Sequence, residues 1–240
     1  MNAKNKGKVI LYLMRHGETI INRARRTQGW CDGVLTHKGI EVAIKTGIGL
    51  SNINFKSIYS SDLGRAIKTA NIVIKENKFS KELKLKELEG LREVYFGKYE
   101  GEYESVMLKD MLNYLNVKNI EEAQEKYHFQ KVYCDSVAAL DETNEAEDYD
   151  TALARIIKSL NDICIENEEE NRDVNVLLVV HGGMMRLIID KYDKTFDLRN
   201  IKNASISKIE YDNGNYSVIS VNDMSYAQEG ISLRENQSYL

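Results

Sequence analysis

The sequence predicts an α/β fold in three layers, α/β/α, with a mostly parallel central sheet and a helical insertion over its mouth. Three observations carry this expectation. Apolar strand-like runs alternate with amphipathic helical runs as β-α-β-α-β over residues 9–88, the pattern of a sheet with helices packed on its faces. One later run, Val174–Val180, is apolar nearly throughout, which suits a central strand buried on both sides. The rhythm breaks between 101 and 146, which reads as an insertion.

Val9–Met14 is the first strand candidate. Thr36 to Leu50 then places Ile40, Ala43, Ile44, Gly47 and Ile48 on one helical face. Lys56–Tyr59 is a short strand, and Ser60-Ser61-Asp62 offers capping oxygens to a helix striped with Leu63, Ala66, Ile67, Ala70, Val73 and Ile74. Leu83–Leu88 alternates apolar and charged residues like an edge strand. The insertion holds one clear helical stripe (Met107, Leu108, Met111, Leu112, Leu115), a polar stretch at Glu121–Lys126, and an acidic run. That run, Asp141–Asp150, has six acidic residues and no basic ones, and is expected as a solvated loop or helix N-terminus. A helix from Tyr149 to Glu166, the strand Val174–Val180 and a helix from Gly183 to Lys191 restore the pattern. Ser205–Tyr211 and Tyr216–Val221 form a hairpin across Asp212-Asn213-Gly214-Asn215. The chain thus reads as a single domain over 1–240, with 101–146 as a cap insertion and 226–240 as a polar, loosely held tail.

Composition narrows the function classes. The 240 residues are 42 % hydrophobic and 29 % charged with a net charge of −4, so no global basic field points to nucleic acid. No apolar run approaches the roughly 20 residues that span a bilayer, and the basic N-terminus precedes too short an apolar segment for a secretory signal. Cys31, Cys134 and Cys164 are odd in number and widely spaced, indicating neither a disulfide framework nor a zinc knuckle. A cytoplasmic location is the default, with no membrane or nucleic-acid partner. The oligomeric state is open, a homodimer being one option.

Two histidines end apolar runs: Leu11-Tyr12-Leu13-Met14-Arg15-His16-Gly17-Glu18-Thr19 and Val176-Leu177-Leu178-Val179-Val180-His181-Gly182-Gly183. Open α/β sheets carry ligands at the carboxyl ends of their strands, so one site built from both segments is expected. Two guanidiniums, Arg15 and Arg65, could clamp a phosphate monoester through bidentate hydrogen bonds. The same cations disfavour protonation of an imidazole beside them, leaving His16 free to attack phosphorus. His181 and the backbone N–H groups that follow it would add to the anion site. The leaving alkoxide then needs a carboxylic acid nearby.

Arg15-His16-Gly17-Glu18-Thr19-Ile20-Ile21-Asn22 resembles the signature of the histidine phosphatase superfamily, the phosphoglycerate mutase-like group. Gln28-Gly29-Trp30, Leu35-Thr36-His37-Lys38-Gly39, Ser60 to Ala70, Leu91 to Gly101, and His181-Gly182-Gly183 resemble its further blocks, in the family's order. The resemblance implies that His16 becomes phosphorylated, that Arg65 is the second arginine, and that Glu93 is the proton donor. It implies a phosphate site lined by Asn22, with Gln28, Gly29, Arg26 and Gly182 as further substrate-binding candidates. It also implies a small phosphorylated metabolite as substrate and no cofactor or metal. Two departures stand out: the family's Gly-Glu-Ser reads Ala146-Glu147-Asp148, and a C-terminal histidine is replaced by Tyr226. His37 reads as a surface residue, His128 as a cap residue that is either structural or touches substrate, and Arg23, Arg25 and Arg26 as a solvated or steering cluster. Glu18 is expected to order the signature turn. Hydrolysis of a monoester is the expected reaction. The alternatives are a 2,3-bisphosphoglycerate-dependent phosphoglycerate mutase and a non-catalytic phospho-ligand binding module. A Rossmann nucleotide binder is disfavoured because no G-x-G-x-x-G follows the first strand.

Overall fold

Strands β1 (Val9–Arg15), β2 (Phe55–Ser60), β3 (Leu85–Glu87), β4 (Val174–Val180), β5 (Ile206–Asp212) and β6 (Asn215–Asp223) form one sheet in the order β3-β2-β4-β1-β5-β6. The computed structural model describes residues 6–80 and 82–237. The four strands β3, β2, β4 and β1 run parallel, and β5 and β6 add an antiparallel hairpin at one edge. Its turn places Asn213 and Gly214 at φ 47° and 89°, the left-handed geometry that a two-residue hairpin turn requires.

Helices cover both faces. On one, α2 (His37–Gly49) and α3 (Gly64–Glu76) bury Ala43, Ala66, Ala70 and Val73 against Met14, Ile58, Leu177 and Val179. On the other, α7 (Tyr149–Asn167) and α8 (Gly182–Tyr192) pack Ile156, Leu160, Ile188 and Ile189 on Leu11, Leu13, Val176 and Leu178. Strand β4 therefore feeds both clusters with alternate residues, which is why its sequence is apolar at every position but Asn175. The cap contains α4 (Glu104–Tyr114), α5 (Ile120–Lys126) and α6 (Phe129–Leu140); α1 (Ile20–Arg23) is a single turn after β1. Among the described residues no helix is long and apolar enough to cross a membrane.

The structure departs from the sequence reading at four places. Ser60-Ser61-Asp62 does not cap α3: Leu63 is its N-cap and makes no side-chain bond. Asp32 accepts instead from the Arg65 N–H at 3.4 Å. The polar stretch 121–126 is itself a helix, started by Asn119 accepting from Glu122 N and by acidic residues at the positive end of its dipole. The acidic run is not uniformly solvated, since Asp141 and Glu147 are buried. Burial pushes the Asp141 carboxyl up, but N–H donors from Ala146 and Lys98 and the Thr143 hydroxyl outweigh it and hold the group well below the usual range. Asp148 caps α7 through Thr151 N at 2.8 Å, as the helix N-terminus reading allowed. Finally, the loosely held tail differs over residues 225–237, which form α9 (Ser225–Gln237) against α2. The two helices meet backbone to backbone: a Cβ on Gly49 would lie 1.9 Å from the Tyr226 carbonyl, and one on Gly230 1.9 Å from that of Lys45. Such a contact leaves no long apolar stripe to read. Residues 238–240 of the expected tail lie outside the described residues.

Candidate active site

In the register of β1 with β4, Arg15 pairs with Val180. His16 and His181, the next residues, therefore leave the sheet side by side, with ring centroids 5.2 Å apart. His16 N–H donates to Val180 O, which ties the turn to the neighbouring strand. The His16 Nδ1 lies 2.8 Å from the Gly17 carbonyl. A carbonyl only accepts, so Nδ1 carries the proton and Nε2 presents its lone pair. Burial, then the charges of Arg65 and Arg15, hold the His16 imidazole far below its usual pKa. His181 is depressed likewise, by burial and by Arg65, His16 and Arg15. Its Nε2 meets Ser61 Oγ at 2.6 Å, and its Nδ1 is buried with no partner.

Arg65 is delivered by the first turn of α3 and is spread over four acceptors. Its Nη1 donates to Cys31 O at 2.9 Å and Asp32 Oδ1 at 3.1 Å, its Nη2 to Gly29 O at 2.6 Å, and its Nε to His16 Nε2 at 3.3 Å. Arg15 donates Nη1 to Ile201 O at 2.5 Å, while its Nε is buried without a partner. Burial and the nearby Arg186 charge lower the Arg15 pKa to about 10. A largely buried guanidinium with no ion pair among the described residues is costly, and a ligand anion would offset that cost.

Glu93 sits on the N-terminus of α8. Its Oε1 accepts from Met184 N at 2.7 Å and Val94 N at 3.0 Å, and its Oε2 from Gly183 N at 2.8 Å. This corrects one expectation: the N–H groups of Gly183 and Met184 hold Glu93 and are not open to a substrate anion. The glycine pair is what permits the approach. A Cβ on Gly183 would lie 2.6 Å from Glu93 Oε1, and one on Gly182 3.1 Å from Arg15 Nε.

A cavity of about 650 Å³ opens between the sheet and the cap. Its wall includes Arg15, Asn22, Gln28, Glu93 and Gly182, together with Phe129 and Tyr133 of α6. His16, Arg65 and His181 are not part of that wall and are 3 %, 1 % and 0 % exposed. The Arg65 Nε–H covers the His16 lone pair, so a phosphoryl group reaching Nε2 has to draw that guanidinium onto its own oxygens. Gln28 accepts from Thr19 Oγ1 at 2.6 Å and keeps a buried Nε2 unpartnered, a spare donor on a residue that lines the same cavity as Arg15. Asn22 accepts from Thr19 N and from Asn203 Nδ2, and Asn203 also donates to His16 O at 3.0 Å.

The remaining candidates divide. Arg26 lines the cavity, with Nη1 on Gly101 O and its guanidinium 3.9 Å over the Tyr103 ring. Arg23 and Arg25 are exposed and outside the wall. Gly29 does not face the cavity; it supplies a carbonyl to Arg65. His37 is exposed at the start of α2. His128 is absent from the cavity wall and pairs instead with Asp190 of α8. Glu18 accepts from Thr36 Oγ1 at 2.8 Å and orders its turn. The departing stretch Ala146-Glu147-Asp148 serves structure: Glu147 binds Arg155, and Asp148 caps α7.

Sequence reasoning missed Glu100, Ser61, Asn203, Arg155 and Arg186. Glu100 accepts from the N–H groups of Gly29, Trp30, Cys31 and Phe96, and so shapes the loop whose carbonyls hold Arg65. Its place in Tyr99-Glu100-Gly101 was the available signal. Ser61 was visible but read as a helix cap. Among the described residues no cluster of three or more His, Cys, Asp or Glu side chains is arranged to hold a metal ion.

The profile of the histidine phosphatase superfamily (branch 1) matches residues 11–224. A phosphoglycerate mutase from Bacillus anthracis str. Sterne superimposes with a TM-score of 0.89 at 39 % identity, covering 95 % of this chain and 99 % of that one. Similarity to two curated relatives is local. The probable phosphoglycerate mutase GpmB of Erwinia tasmaniensis is 44 % identical over 63 residues, 26 % of this chain and 29 % of that protein. The fructose-2,6-bisphosphatase TIGAR of Bos taurus is 36 % identical over 92 residues, 38 % of this chain and 34 % of that protein. The chain thus spans about a third of the length of these two, and both mutases and phosphatases are among the proteins it resembles.

Proposed function

Because the chain belongs to the histidine phosphatase superfamily (branch 1), we propose that it hydrolyses phosphate monoesters of small metabolites through a phosphohistidine on His16, with no metal ion. One observation carries this reading. The His16 Nδ1 proton is fixed on the Gly17 carbonyl and burial among cations keeps the ring neutral, so the Nε2 electron pair is directed at whatever anion Arg15 and Arg65 bind.

In the first step Nε2 attacks phosphorus, a P–N bond forms and the ester P–O bond breaks. Arg15, Arg65, His181 and the spare Gln28 amide hold the three equatorial oxygens, where charge is stabilised in the transition state. Glu93 gives its proton to the departing oxygen. In the second step Glu93 takes a proton from water, which attacks phosphorus and releases inorganic phosphate and free His16. Two displacements with a covalent intermediate replace one difficult one. A cytoplasmic location belongs to the same reading, in keeping with three free cysteines.

A phosphoglycerate mutase dependent on 2,3-bisphosphoglycerate is the second reading, favoured by the 39 % identity with the Bacillus anthracis protein. A mutase must keep water from its phosphohistidine. A cavity of about 650 Å³ is larger than a three-carbon phosphate fills, so water can share it, which favours hydrolysis. The two are separated by incubating purified protein with 3-phosphoglycerate and with a panel of monoesters, with and without chelator. Inorganic phosphate released regardless of chelator supports the proposal. Efficient 2-phosphoglycerate formation with little free phosphate installs the mutase, and no turnover of any monoester leaves a binding module.

A further inference from the structure

The largely buried pair Arg155–Glu147 lies outside the phosphate site and takes no part in the steps above. Glu147 is 9 % exposed and Arg155 19 %. Arg155, on α7, directs its five N–H bonds away from its own helix. Its Nε donates to Glu147 Oε1 at 2.7 Å and its Nη2 to Glu147 Oε2 at 2.6 Å. Its Nη1 donates to Gly90 O at 3.1 Å and Arg92 O at 3.0 Å, and its Nη2 also to Glu93 O at 3.2 Å. Trp30 adds a second donor to the Glu93 carbonyl, Nε1 at 2.9 Å. Glu147 completes the frame by accepting from Tyr95 N at 3.1 Å while its own N–H donates to Tyr95 O.

Every one of these bonds ends on the segment around Glu93 or on the partner that orients Arg155. Residues 92–96 have no regular secondary structure, so no helix or strand ladder fixes the peptide that carries the carboxyl group. A buried ion pair is weak support for stability, and an apolar pair of similar size often does as well. Planar, bidentate geometry is instead suited to fixing direction. We infer that Arg155, held by Glu147 and assisted by Trp30, is a positioning residue that keeps the Glu93 carboxyl aligned for proton transfer to the leaving oxygen. This rests on the reading of Glu93 as proton donor.

The test compares aryl phosphates of graded leaving ability, from dinitrophenyl to phenyl phosphate, by kcat/KM, which reports the step that expels the leaving group. Glu93→Gln sets the reference pattern: a large loss for phenyl phosphate and a small one for dinitrophenyl phosphate, which needs little protonation. Arg155→Lys keeps a cation beside Glu147 but cannot make the five bonds. It is expected to lower kcat/KM for phenyl phosphate by about ten-fold or more while leaving dinitrophenyl phosphate nearly unchanged. Trp30→Phe retains the ring and deletes one donor, so it should show the same selectivity at smaller size. It decides alone if Arg155→Lys does not fold. Equal losses across the series, or none, in variants beside a selective Glu93→Gln overturn the positioning role only. A Glu93→Gln variant that slows all substrates equally overturns both this inference and the assignment of Glu93.

Discussion

Glu100→Gln replaces a carboxylate that gathers four backbone donors. Trp30 N and Phe96 N meet Oε1 at 3.0 and 3.1 Å, and Gly29 N and Cys31 N meet Oε2 at 3.1 and 2.9 Å. A glutamine keeps one oxygen and turns an NH2 group toward the other two donors. Two backbone N–H groups are then left unsatisfied at about 1–3 kcal/mol each, for a total near 3 kcal/mol. At about 2–4 °C per kcal/mol for a chain of this size, Tm should fall by about 6–12 °C. The same loop presents Gly29 O and Cys31 O to Arg65 at 2.6 and 2.9 Å, so the variant should also bind anions less well. Thermal melts, urea unfolding and the competitive inhibition constant of inorganic phosphate give the two readouts. A Tm within about 2 °C of wild type, below the loss expected for even one orphaned donor, together with unchanged phosphate inhibition would refute the reasoning.

Other consequences can be checked separately. His16 and His181 have folded pKa values well below the usual 6.5, so the unfolded chain binds more protons just below that pH. Their contribution to stability is complete above pH 6.5 and is lost as pH falls through and below it. Two such groups should remove about 2.7 kcal/mol between pH 7.5 and 5.5. Urea unfolding at the two pH values measures this, and a double His16→Asn/His181→Asn variant with an equally steep slope would show that other groups are responsible. Gly183→Ala pushes a methyl group to 2.6 Å from Glu93 Oε1. It should keep the circular dichroism spectrum and lower kcat/KM for phenyl phosphate by about 10²–10⁴, and near-normal turnover would remove Glu93 from its place.

How much of this could be read in the chain depends on what each element contacts. The ends of β1 and β4 were legible because a two-sided strand is apolar nearly throughout and each run stops at a histidine. Their adjacency then follows from one parallel register. Glu93 was legible only through resemblance, since an acidic residue in a segment without periodicity carries no local signal. Arg155 was hidden for a related reason: one arginine in an amphipathic helix looks like a solvated face, and only the fold shows that it faces the Glu93 segment. Helix α9 was missed because Gly49 and Gly230 let two backbones touch, a contact with no hydrophobic period. Helix α5 was missed because it is polar and short. Asp62, read as a cap, pairs instead with Arg92 through both carboxylate oxygens, and local sequence could not separate these uses.

The central claim is a covalent bond between phosphorus and His16 Nε2. Rapid-quench trapping with a radiolabelled monoester tests it most directly, followed by alkaline digestion and peptide mapping. The account predicts an acid-labile, alkali-stable adduct on His16 that forms and decays at rates able to support turnover, and that is absent with activity in His16→Ala. An active preparation that never accumulates label on His16 under fast quench, or a His16→Ala variant that still turns over, would contradict it.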